Sequence, residues 1–480
     1  MKSILAIPMV FAAISLASSC ADDDTFSTSS SHILTFSTDT VMMDTVFSNV
    51  PSAAKSFWVY NKSGDGLRAI RVRLENGSRS GYRVNVDGEY LGAATDYSIS
   101  DIEVRNKDSI RVFVELTSPS NHAVSPQQSL DNLVFTLESG VEQKVQLNAW
   151  SWDATLLRNV HITKDSTLNS STRPVVIYGG IQIDSAATLT LAAGTTLYFH
   201  GDAGLDVRGC LKSEGTASQP VTLKGDRLDR MFDYLPYDFV PGQWKGIHFY
   251  PSSYNNSLAY TDIHGTYDGI LIDSSAVDKP KLSLANSTIH NCQGYGLRAI
   301  NSQLTIENTQ ISNTLNDCMR IDGGSVMMTQ CTLAQFYPFD SNRGAAFRFT
   351  SQHPLVNLSI QNSLITGYAD DVLMAHLQDT TRVANYAFSD CIIRTPRIVT
   401  KDSLHFTRVV YEDIKDTTTC GVKHFKRIDT KLLRYDFHLD SVSSAIDKAN
   451  PATTLPIDHD GDERDTRPDI GAYEYRPNKT

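Results

Sequence analysis

Residues 297–321, LRAINSQLTIENTQISNTLNDCMRI, decide the fold of this chain. Three short runs within them alternate apolar and polar side chains, at Leu304-Thr305-Ile306, Gln310-Ile311 and Met319-Arg320-Ile321. Such alternation is typical of β-strands, in which every second side chain points to the same face. We therefore expect three short strands separated by turns, with one side chain in two directed into a common interior.

The same pattern recurs on both sides of this stretch. An aliphatic anchor returns after 26, 22, 22, 32 and 28 residues, at Ile263, Ile289, Ile311, Leu333, Ile365 and Ile393. Each interval has room for three short strands and three turns, so the repeat predicts a solenoid of stacked coils. A polar residue precedes most anchors, at a bend where Asn and Asp tolerate left-handed backbone: Asn286, Asn308, Gln330, Asn362 and Asp390. We expect these side chains to stack in successive coils.

The repeat resembles a known architecture. From about residue 175 to about residue 395 it is similar to the right-handed parallel β-helix of the pectate-lyase-like superfamily. We therefore expect an all-β chain in which residues 151–400 form this solenoid. The stretch from Asp458 to Tyr475 resembles the D-x-D-G-x-x-R…D-I-G-A-Y-E ending common in extracellular β-helix proteins. That resemblance implies that residues 401–480 form the last coils and a cap over the open end of the solenoid.

A different β pattern occupies residues 34–150. Short alternating runs, such as Phe57-Trp58-Val59-Tyr60 and Ile110-Arg111-Val112-Phe113-Val114, are separated by turn residues. About seven such runs predict a β-sandwich. Their arrangement resembles the Ig-like domains of the abnormal-spindle and hydin type, which implies an N-terminal Ig-like domain.

The first residues predict export and a lipid anchor. Lys2, the apolar run from Ile4 to Leu16 and the small residues before Cys20 indicate a signal peptide over residues 1–19. Leu16 to Cys20 resembles a bacterial lipobox, although Ala17 stands where that motif prefers Leu, and the resemblance implies lipidation of Cys20. The acidic run Ala21-Asp22-Asp23-Asp24 resembles the tag that sorts lipoproteins of Bacteroidota to the outer face of the outer membrane. We expect residues 20–33 to form a flexible acidic and Ser-rich tether.

Composition narrows the classes of function. A formal net charge of −11 disfavours a nucleic-acid partner. No apolar run reaches the roughly 18 residues of a membrane-spanning helix. The six cysteines from Cys210 to Cys420 have no CxxC pairs and no His at metal-binding spacing, so they do not indicate a zinc site. Whether they form disulfides stays open.

A column of arginines is the first candidate for chemistry. If Ile270, Leu297, Met319, Phe347 and Leu373 point inward in successive coils, the next residues point outward: Leu271, Arg298, Arg320, Arg348 and Met374. Like charges so close repel unless acids or a polyanionic ligand lie over them. One interpretation is a solvated ladder of arginines and aspartates. The other is a groove for an acidic polysaccharide, in which the arginines bind uronate carboxylates and Tyr295 stacks on a sugar.

The resemblance to β-helix lyases adds an enzymatic alternative. In those lyases an Arg or Lys abstracts the proton α to a uronate carboxyl group, while acids hold Ca²⁺ against that group. The resemblance implies Arg320 as the base, with Asp317 and Asp322 as metal ligands. Asp370-Asp371 resembles the paired acids of polygalacturonase-like hydrolases, but their Gly-His-Gly segment is absent from the sequence. No complete catalytic signature is present.

Two further stretches are candidates for binding. The loop from Met231 to Trp244 forms either a sugar-stacking platform or a cover over the coils, because it is rich in aromatic residues: Phe232, Tyr234, Tyr237, Phe239 and Trp244. Asp458, Asp460 and Asp462 alternate as at the start of a Ca²⁺ loop. Asp469 replaces the Glu expected at the twelfth position, so a weak Ca²⁺ site and a plain turn are both open. No other cofactor is predicted.

These features predict a surface-exposed lipoprotein of the outer membrane. Its β-helix would serve glycan binding or a structural role. The first alternative is a polysaccharide lyase, with a hydrolase less favoured, acting on an acidic polysaccharide. The second is a scaffold in a complex of surface proteins.

Overall fold

A computed structural model describes residues 25–170, 172–377 and 383–477. The chain divides into two compact units, Met1–Asp153 and Ala154–Thr480. The predicted signal peptide, Cys20 and the acidic run lie outside the described residues. Within the described ranges, no helix is long and apolar enough to span a membrane. The helices are short 3₁₀ turns at Gly77–Arg79, Ala93–Thr95, Tyr237–Phe239, Lys401–His405, Gly421–His424 and Pro451–Thr453.

The first unit consists of two β-sheets that share one hydrophobic core. Its strands are β1 (Leu34–Phe36), β2 (Thr40–Phe47), β3 (Lys55–Asn61), β4 (Leu67–Leu74), β5 (Tyr82–Val86), β6 (Glu89–Leu91), β7 (Ser98–Ile99), β8 (Ile102–Val104), β9 (Ser109–Leu116), β10 (Gln127–Leu137) and β11 (Glu142–Trp152). One sheet has the order β1-β3-β9-β5-β6 and the other β2-β11-β10-β4-β7, with β8 beside β4. Alternate side chains of both sheets, among them Val59, Val112 and Phe135, fill the core. The alternating runs therefore mark buried faces, as expected, and the described part of this unit has eleven strands where the sequence predicts about seven.

Residues 25–27 belong to this unit instead of the predicted flexible tether. Ser27 N donates to Gly66 O at 2.9 Å, and Gly66 N donates to Thr25 O at 3.1 Å. The guanidinium carbon of Arg68 lies 4.2 Å from the centroid of the Phe26 ring. Backbone pairing and this cation–π contact hold a segment whose composition alone suggests a solvated chain.

The second unit is a solenoid of stacked coils, which confirms the all-β solenoid predicted from the repeat. Strands β12–β19 and β22–β38 form one 25-stranded sheet, β20 pairs with β21, and β39 pairs with β40. The strands are β12 (Thr155–Ile162), β13 (Ser166–Leu168), β14 (Val175–Ile183), β15 (Thr188–Leu191), β16 (Thr196–Phe199), β17 (Leu205–Val207), β18 (Cys210–Glu214), β19 (Val221–Gly225), β20 (Arg230–Phe232), β21 (Leu235–Pro236), β22 (Ile247–Phe249), β23 (Asn256–Ala259), β24 (Thr261–His264), β25 (Ile270–Ile272), β26 (Pro280–Ala285), β27 (Thr288–Cys292), β28 (Leu297–Glu307), β29 (Gln310–Thr314), β30 (Met319–Thr329), β31 (Thr332–Gln335), β32 (Phe347–Gln361), β33 (Leu364–Gly367), β34 (Leu373–His376), β35 (Ala384–Ser389), β36 (Ile392–Ile393), β37 (Phe406–Thr407), β38 (Val410–Tyr411), β39 (Phe425–Asp429) and β40 (Arg434–Leu439).

The interior of the solenoid is packed with the predicted anchors. Each has a relative exposure of 0%: Ile263, Ile289, Ile311, Leu333, Ile365 and Ile393. The strands expected around Ile311 are parts of β28, β29 and β30, and they pair in parallel with the coils before and after. The coils begin at β12, earlier than the repeat that starts near Val175, because β12 pairs with β14.

The predicted bends adopt left-handed backbone. The φ angles lie between 44° and 55° at Asn286, Asn308, Gln330, Asn362 and Asp390. Successive bends align from coil to coil, since the preceding residues Ala285, Glu307 and Thr329 pair in register. Asn and Asp suit this conformation because their short polar side chains tolerate it.

The C-terminal segment runs along this column of bends. Asn286 Nδ2 donates to Asp458 O at 2.6 Å, and Asn308 Nδ2 donates to Ile457 O at 2.9 Å. Asn450 N donates to Asn362 Oδ1 at 2.8 Å. We call residues 450–475 the C-terminal strap.

The reason for this position is an apolar patch on the outside of the late coils. Ala334, Leu364 and Ile392 point outward from β31, β33 and β36, and they are buried in a second core with Phe425, Phe437, Leu439, Ala445, Ile470 and Ala472. Burying this patch removes apolar surface from water, which contributes roughly 25 cal/mol per Å². The side of the coils, and not only their end, thus needs a cover.

The six described cysteines are free thiols. Four of them are buried, and burial raises the pKa of each to about 12: Cys292, Cys318, Cys331 and Cys391. They pack as small apolar residues and are poor nucleophiles.

Candidate functional site

The three arginines predicted to bind a glycan lie in one column. Arg298 pairs in register with Arg320, and Arg320 with Arg348. Asp322 Oδ2 lies 3.4 Å from Arg298 Nε and 3.1 Å from Arg320 Nε, and Asp317 Oδ2 lies 2.7 Å from Arg348 Nε. Each arginine therefore has a carboxylate beside it.

These carboxylates are embedded in the coils. The Asp322 side chain is 2% exposed and that of Asp317 is 5% exposed. Burial lowers the pKa of Arg320, but the hydrogen bond and charge of Asp322, together with Tyr295, outweigh burial and raise the pKa above its ordinary value. A raised pKa keeps Arg320 protonated, so less of the neutral guanidine that could accept a proton is present. The proposed roles of Arg320, Asp317 and Asp322 in proton abstraction and Ca²⁺ binding stay predictions. The guanidinium carbon of Arg298 lies 5.5 Å from the centroid of the Tyr295 ring.

Trp244 is part of the core, which corrects its expected role as a sugar-stacking residue. It is 1% exposed, and its ring is stacked on Phe199 with centroids 4.2 Å apart. Its Nε1 donates to His264 O at 2.8 Å. The chain re-enters the coils at Trp244, which forms a parallel β-bridge with Thr266, so the indole ring is buried and no ring face is left for a ligand.

The other aromatic residues of the loop from Met231 to Trp244 lie nearer the surface. We call residues 231–244 the aromatic loop. Tyr234 is exposed and stacks with Phe232 at 5.8 Å. Tyr237 lies 3.7 Å from the guanidinium carbon of Arg227. Phe239 lies 4.3 Å from that of Arg434, so it bridges from the aromatic loop to strand β40.

The predicted Ca²⁺ residues form a tight turn. Ligand oxygens of Asp458, Asp460 and Asp462 lie within 4.8 Å of one another. The carboxylate of Asp458 accepts the backbone N–H groups of Asp460, Asp462 and Glu474, each at 3.0 Å. These hydrogen bonds give Asp458 a structural role in the turn that does not require a cation. A Ca²⁺ ion at this turn stays a prediction.

A cluster of histidines and aspartates, not expected from the sequence, lies on another face of the coils. His264 of β24 pairs in register with His290 of β27, and their ring centroids are 4.7 Å apart. Asp262 precedes His264 by two residues, and its Oδ1 lies 3.2 Å from both His264 Nδ1 and His290 Nε2. On the far side of His264, Nε2 lies 3.2 Å from Asp238 Oδ1 of the aromatic loop. Asp238 also accepts from Lys224 Nζ at 2.8 Å.

The opposite charges in this cluster stabilise the ionised forms of Asp262 and His264. Burial opposes the ionisation of Asp262, but His264 and His290 outweigh it and hold the pKa of Asp262 well below its usual range. Burial lowers the pKa of His264, but the carboxylates of Asp262 and Asp238 outweigh it and raise the pKa to about 9.

Residues from the C-terminal part face the cluster. His438 of β40 lies between two carboxylates, with Nδ1 2.6 Å from Asp436 Oδ1 and Nε2 3.0 Å from Asp460 Oδ2. Although burial lowers the pKa of His438, hydrogen bonds to Asp436 and Asp460 raise it to about 9. His459 of the strap lies 3.0 Å from Thr288 Oγ1 of β27. Strap and coil therefore meet at the strand that carries His290.

Two cavities lie along this meeting line, and we call them together the histidine groove. The first, of about 390 Å³, is lined by residues that include Asp262, Thr288, His459 and Asp460. The second, of about 400 Å³, is lined by Phe239, Thr288, His290, Asn291, Gln310, Ser312, Asn313, Leu433, Tyr435, Asp436, Phe437, His438 and Tyr473. Thr288 lines both, so the cavities are adjacent.

A signal for this groove exists in the repeat. Thr261-Asp262-Ile263-His264 and Ser287-Thr288-Ile289-His290 align on their buried anchors, and the residue after each anchor is His. Two outward histidines one coil apart must stack if the anchors stack. The residues of the C-terminal side carry no such signal.

Comparison with known proteins agrees with the fold. A family model described as a right handed beta helix region matches residues 268–423. The solenoid is a right-handed parallel β-helix. No curated protein matches the chain.

Two solved structures are similar to parts of the chain. The ASH/PapD-like domain of human CEP192 matches with 11% identity and a TM-score of 0.17, over 27% of this chain and 90% of that chain. The catalytic unit of a thermostable GH87 α-1,3-glucanase from Streptomyces thermodiastaticus matches with 12% identity and a TM-score of 0.25, over 74% of this chain and 88% of that chain. Scores this low transfer no activity to the β-helix protein.

Proposed function

We propose that the histidine groove binds a carbohydrate chain without turnover, and that a lipid on Cys20 holds the protein at the outer face of the outer membrane. The anchor rests on the sequence of residues 1–24. The binding role rests on the groove.

The chemistry of the lining suits a sugar. A sugar hydroxyl donates and accepts hydrogen bonds, while the C–H faces of the ring are apolar. The groove offers amides at Gln310 and Asn313, carboxylates and imidazoles on both sides, and aromatic rings at Phe239 and Tyr435. Few charged residues lie there without an opposite charge nearby, which favours a neutral or weakly charged ligand.

One observation carries the proposal. Asn313 Oδ1 and Tyr435 Oη are buried atoms that have no hydrogen-bond partner among the described residues, and both residues line the same cavity. An unsatisfied buried polar group costs about 1–3 kcal/mol. Hydroxyl groups of a ligand would satisfy both.

The arginine column supports glycan binding less well. Asp322 and Asp317 already bond Arg298, Arg320 and Arg348, so a uronate would have to compete with buried carboxylates. The raised pKa of Arg320 also disfavours β-elimination there. We therefore do not extend the proposal to lyase activity.

A glycan-array screen of the mature protein, followed by retention on the immobilised polysaccharide it selects, tests the proposal. Tyr435→Phe removes only a hydroxyl group, and the loss of one hydrogen bond should weaken retention roughly 2- to 10-fold. Tyr368→Phe is the matched control, because its Oη also has no hydrogen-bond partner within the described residues but Tyr368 lines neither cavity.

The outcomes separate the two surfaces. If Arg320→Gln abolishes retention and Tyr435→Phe leaves it unchanged, the ligand binds the arginine column and the proposal fails. Release of unsaturated uronates from the retained polysaccharide would contradict binding without turnover. If no glycan is retained, the scaffold alternative replaces the proposal.

A further inference from the structure

We propose that Asp262, His264 and His290 form a binding site for a divalent transition metal ion of the zinc class. These three side chains supply the protein ligands of the site. It does not require that the groove bind carbohydrate.

The β-helix brings the donors together through its register. His264 and His290 occupy equivalent positions of β24 and β27, and Asp262 lies two residues before His264 on the same side of its strand. One ligand atom from each residue lies within 4.8 Å of the others. Because all three lie on stacked strands, their positions do not depend on a flexible loop.

The distances agree with a coordination sphere. Ligand atoms about 2.1 Å from a tetrahedral zinc ion lie about 3.4 Å apart. Asp262 Oδ1 lies 3.2 Å from His264 Nδ1 and 3.2 Å from His290 Nε2. An ion placed among the three atoms would therefore need little rearrangement of the side chains.

The second shell is of the kind that orients a metal-binding imidazole. When Nδ1 of His264 binds an ion, Nε2 carries the proton and donates it to a neighbouring acceptor. Asp238 Oδ1 lies 3.2 Å from that atom and is held by Lys224 at 2.8 Å. This carboxylate–histidine arrangement fixes the ring and its tautomer.

The donor set selects the class of ion. Two imidazoles and one carboxylate suit Zn²⁺ and its neighbours in the first transition row, whereas Ca²⁺ and Mg²⁺ prefer six or more oxygen ligands. Asp262 and His290 line the two cavities of the groove, so further coordination positions would face solvent.

Another grouping with metal-binding residue types is less suitable. Glu412, Cys420 and His424 also bring ligand atoms within 4.8 Å. The Glu412 side chain is fully buried, however, and it bonds Arg394 Nη1 at 3.0 Å and His424 Nε2 at 3.1 Å. A cation there would have to displace a buried arginine.

The test is metal titration of the full mature chain, purified without a polyhistidine tag and stripped with a chelator. We expect one equivalent of Zn²⁺ by calorimetry, and Co²⁺ should give the visible absorption of a low-symmetry nitrogen and oxygen site. His290→Gln and Asp262→Asn should each weaken Zn²⁺ binding at least tenfold. Asp238→Asn should weaken it by about 10- to 100-fold, the usual effect of losing a second-shell partner.

His248→Gln is the matched control. His248 Nε2 lies 3.1 Å from Asp273 Oδ1, so it forms a similar His–Asp pair on another face. The His248→Gln variant should bind Zn²⁺ as tightly as the unchanged protein does. Urea unfolding in chelator identifies any variant that fails to fold. If a ligand variant does not fold, the Zn²⁺ affinity of Asp238→Asn, which keeps all three ligands, tests the site in its place.

Three results would overturn the site. The first is that the unchanged protein binds no Zn²⁺ at micromolar concentrations. The second is that His290→Gln and Asp262→Asn bind Zn²⁺ as tightly as His248→Gln does. A thiolate-to-cobalt charge-transfer band would place the ion at Cys420 instead. None of these results bears on glycan retention, which is measured in chelator.

Discussion

Replacing Arg464 with Met should loosen the C-terminal strap. The side chains of Arg464 and Glu474 are 1% and 3% exposed, and Arg464 Nη1 lies 3.0 Å from Glu474 Oε2. Nη2 of Arg464 donates to Ala472 O at 2.9 Å and to Asn308 Oδ1 at 3.1 Å. One guanidinium group thus joins two parts of the strap to a bend of the coils.

The size of the effect follows from these contacts. Removing one partner of a buried ion pair costs about 3–5 kcal/mol, because the other charge is left without compensation. Glu474 keeps backbone donors at Asp465 N and Asp469 N, at 3.3 and 3.1 Å. We therefore expect the lower end, about 3 kcal/mol, which corresponds to roughly a 150-fold change in the equilibrium for opening the strap.

Hydrogen exchange measured by mass spectrometry reads this equilibrium. Amides such as His459 N, which donates to Ala472 O at 2.8 Å, should exchange roughly 150-fold faster in Arg464→Met. Arg467→Met is the control, because Arg467 is 75% exposed and its pair with Asp447 should contribute less than about 1 kcal/mol. Equal exchange in the two variants would refute the reasoning. So would a double variant, Arg464→Met with Glu474→Gln, that is as unstable as the sum of the single changes.

Three further outcomes are expected. Trp244→Ala should lower the free energy of unfolding by about 3–5 kcal/mol in urea titration, whereas Tyr234→Ala should change it by less than about 0.5 kcal/mol; similar effects would show that Trp244 is not a core residue. Asn362→Ala should make the strap sensitive to limited proteolysis, because it removes hydrogen bonds to the strap worth about 1–3 kcal/mol. Asn301→Ala is the control and should leave the strap resistant, since Asn301 also has left-handed backbone, with φ of 38°, but lies at another bend. Burial opposes the ionisation of Asp153, but hydrogen bonds outweigh it and hold its pKa well below the usual range, so the first unit should lose stability as the pH falls below about 4. Asp153→Asn should flatten that loss by up to about 1.4 kcal/mol per pH unit in acid unfolding, and an unchanged slope would contradict this assignment.

The solenoid could be predicted because its core repeats locally. Anchors such as Ile289 and Ile311 are separated by a single coil, and each is buried by the same few positions of its neighbours. Periodicity therefore carries most of the information on the fold. The cover over the side of the coils also has a signal in the sequence: Leu364-Ile365 and Ile392-Ile393 are apolar at inward and outward positions alike, which indicates strands covered on both sides.

The histidine groove could not be predicted because its two sides are distant in sequence. Thr288 and His459 are 171 residues apart, and only the docked strap brings them together. The arginine column shows the converse case. Register places Arg298, Arg320 and Arg348 correctly, but whether Asp322 lies over them or below them depends on side-chain packing that alternation does not specify.

The strap also alters how the coils depend on one another. In a simple stacked array each repeat supports only its immediate neighbours, so melting can start at one end and spread. Here one stretch of chain touches the bends at Asn286, Asn308, Gln330 and Asn362 in turn. Because the strap joins these coils, destabilising one of them should destabilise coils several positions away, and the joined coils should unfold as one cooperative block. During synthesis this block should form last, because the strap is translated after all of the coils that it joins.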